Sequence, residues 1–234
     1  MAPVDVAIIT LPGRPAPSVH SCLASFYASG GGADVGRITL IADEPEGHPA
    51  VCLLRDCYEH LGIAVEPRRE PPGSNGEVRL SRGYARALAA CDSRRPAIIL
   101  EDDVTFASAW REHLEEIAAE APAGALVWGY CRFPRSFIGP RQTVRRWILH
   151  PAGEMLWCNH LVRWPADPTL RAAGIARMQR TSAAADNAIG QMCFDQKRPV
   201  ALAVPSLVDH LGDVSVIDPE RRHTRGELFA GRTR

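Results

Sequence analysis

Pro96-Ala97-Ile98-Ile99-Leu100-Glu101-Asp102-Asp103-Val104 is an apolar run closed by three consecutive acids. Residues 97–100 read as a buried strand. Acids at its end repel one another, and a desolvated carboxyl protonates unless a cation or hydrogen-bond donors compensate it. A divalent metal removes that cost. Strand side chains alternate, so Glu101 and Asp103 share one face and Asp102 takes the other. Two carboxylate heads on one face can share a Mg2+ or Mn2+ that also binds phosphate oxygens. The competing reading is a solvated turn after a strand.

Outward from this stretch, the first half of the chain alternates strand and helix. Residues 4–10 are nearly continuous and apolar. Val19, Cys22, Leu23 and Phe26 follow helical spacing behind a capping Ser18. Residues 38–42 read as a second strand, Leu54, Cys57, Tyr58 and Leu61 as a second helix, and residues 63–65 as a short third strand. Leu80, Tyr84, Ala87, Leu88 and Cys91 mark a third helix before the strand at 97–100. Such alternation predicts an α/β fold with a mostly parallel central sheet flanked by helices. The second half is less regular. It reads as a helix over 110–120, strands near 125–130, 147–149 and 155–158, a helix between 182 and 194, and a strand over 200–204. We divide the chain into residues 1–104, residues 105–218 of the same domain, and a polar, Arg-rich tail over 219–234.

The 27 basic and 27 acidic residues cancel, so no whole-molecule field draws the chain to nucleic acid or membrane. No apolar run has the length of a membrane span, and no basic-then-apolar leader is visible. The 7 cysteines are odd in number, scattered and without a C-x-x-C pair. That favours buried free thiols in a reducing compartment, and the expectation is a cytoplasmic protein.

Ligands of open parallel sheets sit at the carboxyl ends of the strands. Thr10 to Arg14, Asp43, Glu101 to Asp103, and the segment Pro205-Ser206-Leu207-Val208-Asp209-His210 all follow strands. An acidic motif with a distant histidine is a candidate metal set, and imidazole suits Mn2+ better than Mg2+.

At this point a family resemblance becomes specific. Residues 8–15, Ile8-Ile9-Thr10-Leu11-Pro12-Gly13-Arg14-Pro15, resemble the first strand and base-cradling loop of GT-A glycosyltransferases, which use nucleotide-diphosphate sugars. Arg79-Leu80-Ser81-Arg82-Gly83-Tyr84-Ala85 followed by residues 98–104 is similar to the helix and D-x-D strand of lipopolysaccharide-type, family 25-like transferases. Pro205-Ser206-Leu207-Val208-Asp209-His210-Leu211-Gly212 resembles the closing segment of the N-acetylglucosaminyltransferase IV-like group. The resemblance covers residues 4–216 and implies a Rossmann-like GT-A fold in a single domain. It implies Mn2+ or Mg2+ and a nucleotide-sugar donor, with a UDP-sugar favoured. Asp103 would bind the metal, and His210 would be a second protein ligand. Glu101 would share the metal or hold the ribose or a metal-bound water, with Asp102 supporting the arrangement. Thr10, Pro12, Arg14, Asp43 and Arg82 would line the nucleotide site. For His210 the competing reading is a half-buried loop histidine.

Inversion at the sugar carbon needs a base for the acceptor hydroxyl. Asp186, at the start of the helix near 182–194, is the candidate, and helix capping is its competing role. Glu154, beside Gly153, is the reserve. Trp128, Tyr130, Trp147, Trp157 and Trp164 concentrate in the second half, where a sugar platform competes with ordinary core packing. Arg132, Arg135, Arg141, Arg145 and Arg146 form a stretch without acids. It reads as a solvated face, as a site for the sugar diphosphate or an anionic acceptor, or as a nucleic-acid contact. The acceptor is thus open between glycan, small molecule, protein and nucleic acid. Two alternatives remain beside glycosyl transfer. Nucleotidyl transfer would want a Gly-rich phosphate loop after the first strand, which residues 10–14 match poorly. A receiver-like or binding module would place its acids after the first strand and a lysine after a late one.

Overall fold

The computed structural model describes residues 3–11, 16–71, 75–130, 147–149 and 160–210. Its strands are β1 (Val4–Thr10), β2 (Val35–Pro45), β3 (Ala64–Arg68), β4 (Ala97–Glu101), β5 (Val104–Phe106), β6 (Leu126–Trp128), β7 (Trp147–Leu149), β8 (Leu161–Trp164), β9 (Val200–Ala203) and β10 (Val208–His210). Its helices are α1 (Ala16–Ala28), α2 (Pro49–Tyr58), α3 (Gly76–Ala90), α4 (Trp110–Glu120), α5 (Pro168–Arg180) and α6 (Ala185–Asp195). Among the described residues, eight strands form one sheet in the order β3-β2-β1-β4-β8-β6-β9-β7, and β10 pairs with β5 in a separate ribbon. The pairs β1–β2, β2–β3, β1–β4 and β6–β9 are parallel; β4–β8, β6–β8 and β7–β9 are antiparallel. The result is a mixed, mostly parallel α/β sheet. Both halves of the chain contribute strands to it, so they make one domain.

Alternation along the central strands builds the three layers. Val4, Val6, Ile8, Ile98 and Leu100 point into one core with Phe26, Val51, Leu54, Trp110 and Leu114, from α1, α2 and α4. Ala7, Ile9, Ala97 and Ile99 point into the other with Tyr84, Leu88, Leu170, Met178, Ile189 and Met192, from α3, α5 and α6. Helix starts follow local chemistry. The Asn75 side chain accepts from the Val78 N–H at 2.9 Å to cap α3, and Asp167 accepts from Leu170 N–H at 2.9 Å to cap α5, with Pro168 in its first turn.

Helix α5 and strand β8 are additions to the sequence reading, and both have a physical reason. The buried face of α5 is Leu170, Arg171, Gly174 and Met178, so a charge and a glycine interrupt the apolar stripe. A Cβ on Gly174 would lie 2.7 Å from the Trp164 ring, so the helix approaches β8 too closely for a side chain there. The Arg171 guanidinium, 1% exposed, donates to the carbonyls of Asp92 at 2.9 Å, Pro165 at 3.3 Å and Arg95. It thus ties α5 to the turn that feeds β4. In β8, Arg163 breaks the apolar run and pairs with Glu115 of α4, Nη2 to Oε2 at 2.8 Å. Strand β2 is longer than the 38–42 expected and β3 starts and ends later than 63–65. The expected strand at 155–158, the basic stretch over 132–146 and the tail over 219–234 lie outside the described residues.

Five described cysteines are free. Cys22, Cys91 and Cys193 are buried, and Cys52 and Cys57 are exposed on α2. Burial pushes the Cys91 and Cys193 thiols up to about 12, so neither is a nucleophile near neutrality. No described helix is long and apolar enough to cross a membrane.

Candidate metal centre at the carboxyl rim of the sheet

Three separated pieces of chain meet at the end of β4, and backbone pairing brings them there. Glu101 is the last residue of β4 and lies opposite Ile9 of β1; the Asp102 N–H donates to the Ile9 carbonyl at 3.1 Å. The chain turns at Asp102 and Asp103 and continues as β5. Strand β10 runs antiparallel to β5 with His210 opposite Val104, so His210 falls beside Asp103. The Leu207 N–H donates to the Gly129 carbonyl at 2.7 Å, and the Ala107 N–H to the Leu207 carbonyl at 3.0 Å, which fixes the approach to β10. His160 comes from a third direction. It precedes Leu161, which pairs with Leu100 across β4–β8. A Cβ on Gly129 would sit 3.1 Å from the Leu161 Cβ and 2.5 Å from its Cδ2, so only glycine lets β6 end this close to the His160 segment.

The side chains form a row of four, Glu101, His160, His210 and Asp103. His160 Nδ1 lies 3.4 Å from Glu101 Oε2, and His210 Nδ1 lies 3.4 Å from Asp103 Oδ2. Between them the two Nε2 atoms face each other at 2.6 Å. Tyr130 stands edge-on to His160, with ring centroids 4.8 Å apart, and walls the pair. His160 and His210 are each 6% exposed and Glu101 4%. Burial, followed by the neighbouring His160, holds the His210 imidazole below its usual range, with Asp103 pulling the other way. Asp102 takes the opposite side, as strand alternation predicts. Its Oδ2 is 3.5 Å from the Ser18 hydroxyl, so it braces the start of α1 against the turn.

Ligand atoms of Asp103, His160 and His210 all lie within 4.8 Å of one another. One carboxylate and two imidazoles make a donor set suited to a divalent transition ion. The chemistry fits a metal, though the membership differs from the sequence reading. Asp103 and His210 come together as expected, Glu101 stands behind His160, and His160 is an addition. The sequence Cys158-Asn159-His160-Leu161 carries no ligand motif. Its one signal is a histidine at the mouth of a short apolar run.

The other candidates are distributed over the fold. Thr10, half-buried, ends β1 opposite Ala42. Asp43, one residue on, is enclosed by guanidiniums: Arg79 Nε at 2.6 Å, Arg86 Nη2 at 3.1 Å and Arg68 Nε at 3.8 Å. Burial raises its carboxyl above the ordinary value, and the three guanidiniums act against that rise. Its carboxylate is thereby committed to holding α3 and β3 onto β2. Arg82, in the first half of α3, donates to the Pro71 carbonyl at 3.0 Å. Asp186 lies in the first turn of α6, half-buried, and its Oδ1 accepts from the Asn187 N–H at 2.8 Å. The Ser81 hydroxyl, near the start of α3, donates to the Ala183 carbonyl at 2.8 Å, which fixes the entry to α6 beside the start of α3. Trp128 and Trp164 are wholly buried in the core and Trp147 nearly so; the Trp147 Nε1 donates to Glu120 at 3.1 Å. Pro12, Arg14, Glu154, Trp157, Arg132, Arg135, Arg141, Arg145 and Arg146 lie outside the described residues.

No protein-family model matches the chain, and no curated protein matches it.

Proposed function

We propose that this protein is a GT-A glycosyltransferase that moves a sugar, with inversion, from a nucleotide-diphosphate sugar to an acceptor hydroxyl. The observation that carries the reading is the buried Asp103–His160–His210 group at the carboxyl end of β4. The resemblance expects a metal-held diphosphate at this position, and open α/β sheets bind ligands there. Asp103, His160 and His210 would hold Mn2+ or Mg2+; when bound, the ion supplies positive charge to the departing diphosphate. Glu101 holds His160 in place from behind, and Asp102 keeps the turn against α1. Thr10 and Arg82 supply polar contacts to the nucleotide, together with Pro12 and Arg14 of the first loop. A UDP-sugar is the favoured donor.

In the transfer step the acceptor oxygen bonds to the sugar carbon, the bond from that carbon to the diphosphate oxygen breaks, and the acceptor proton passes to a carboxylate. Asp186 is that base in this account, and Glu154 is the reserve. Asp186 lies in the first turn of α6, half-buried, at a helix N-terminus that suits a carboxylate. The acceptor is a glycan or small molecule, with an anionic acceptor, nucleic acid included, drawn by Arg132 to Arg146.

The test is release of free nucleoside diphosphate from a panel of UDP- and GDP-sugars, with and without EDTA. Turnover of at least one donor, abolished by EDTA and restored by added Mn2+, is expected. Turnover indifferent to the chelator would overturn the metal role. Release of pyrophosphate from a nucleoside triphosphate would transfer the assignment to nucleotidyl chemistry.

A further inference from the structure

The row Glu101–His160–His210–Asp103 contains more nitrogen than a phosphate-bound Mg2+ site requires. We infer that it is a nitrogen-rich centre that selects a transition ion of the Mn2+, Fe2+, Co2+ or Zn2+ class over Mg2+ and Ca2+, with His160 as a ligand and Glu101 as the residue that positions it. This rests on the metal half of the proposed function and not on the sugar chemistry.

Three observations carry it. First, the donors are mixed. Asp103 offers oxygen, while His160 and His210 offer imidazole nitrogen, all within 4.8 Å. Mg2+ and Ca2+ take oxygen ligands and part with water reluctantly or need six to eight oxygens, whereas imidazole nitrogen suits Fe2+ and Zn2+, and a mixed nitrogen and oxygen site binds Mn2+ at the weak end of the transition series. Second, the rings are aimed. Two ring nitrogens facing at 2.6 Å repel unless a proton or a cation lies between them. A cation bonded to both relieves that repulsion, with the rings separating by roughly 0.5–0.8 Å to make room for metal–nitrogen bonds of about 2.0–2.2 Å. Third, Glu101 does what a carboxylate behind a ligating histidine does. Glu101 Oε2 lies 3.4 Å from His160 Nδ1, on the side of the ring away from Nε2, so the carboxylate orients the ring with Nε2 facing His210. Glu101 is 4% exposed and Tyr130 closes the flank, so the orientation is locked by packing as well as by charge.

The first readout uses the unaltered protein. Pulsed electron paramagnetic resonance of bound Mn2+ is expected to show nitrogen couplings from two imidazoles, and one coupling or none overturns the proposal. The second is competition. Mg2+ in about 100-fold excess over Mn2+ is expected to leave the Mn2+ in place; displacement at equal concentration contradicts the centre described. The third uses variants checked for folding by circular dichroism. His160→Gln is expected to lose Mn2+ affinity by about 100-fold or more, and Glu101→Gln by about 10–100-fold with the melting temperature retained. Should His160→Gln fail to fold, the two-nitrogen spectrum of the parent still decides. Mn2+ bound as described in a protein that turns over no sugar nucleotide sustains this inference and removes the transferase reading alone.

Discussion

Asp103→Asn is expected to abolish useful turnover while leaving the fold intact. Asp103 lies in the turn between β4 and β5, and its side chain is 13% exposed, so the amide fits where the carboxylate was. What the amide lacks is the negative charge that, beside two imidazoles, makes the group a cation site. A metal that stabilises transition-state charge contributes several kcal/mol, so the rate of sugar transfer at saturating donor should fall by about 100- to 1,000-fold. Mn2+ binding should weaken in parallel, and the thermal midpoint in the absence of metal should stay close to that of the parent. His210→Gln should behave alike, because strand β10 holds its backbone by pairing with β5 whatever the side chain. Retention of the parental rate by Asp103→Asn would show that the reacting centre lies elsewhere on the rim.

The second large effect concerns stability. Asp43→Ala removes a carboxylate that is 2% exposed and lies within 4 Å of Arg68, Arg79 and Arg86. Those side chains are 12%, 28% and 15% exposed, so three guanidiniums are left facing one another with little water between them. Glu70 remains against Arg86 Nε at 3.2 Å, and the carbonyls of Ala42 and Asp43 still accept, so the loss is partial. Removing one partner of a buried ion pair costs about 3–5 kcal/mol. For a chain of this length that is a fall in melting temperature of roughly 10 °C. Calorimetry without any nucleotide reads it. An unchanged melting temperature combined with lost nucleotide affinity would instead make Asp43 a ligand contact, the role its place after β2 implies from sequence.

What the sequence discloses tracks how much of each element is apolar. Strands β1 and β4 are continuous apolar runs and read directly. Helices α1 and α3 present apolar stripes at the proper spacing and also read directly. Strand β8 did not read, because Arg163 sits in its middle and finds its counter-charge on α4, a contact between residues 48 positions apart. Helix α5 did not read, because its inward face carries Arg171 and Gly174. Strands β5 and β10, each 3 residues long, are too short for any period to show. The site divides in the same way. Glu101, Asp102 and Asp103 announce themselves by charge at a strand end, and alternation places Asp102 opposite its neighbours. His210 stands out through the segment around it. His160 has neither motif nor periodicity, and it reaches the centre only because β8 runs antiparallel to β4, which no local feature encodes.

The measurement that bears most directly on the central claim is anomalous diffraction from a crystal grown with Mn2+ and a nucleoside diphosphate. The account predicts one strong manganese peak bonded to Asp103, His160 and His210, with diphosphate oxygens completing its coordination. A peak bonded to other residues, or a diphosphate bound away from the end of β4 with the Asp103–His160–His210 group left without an ion, would contradict it.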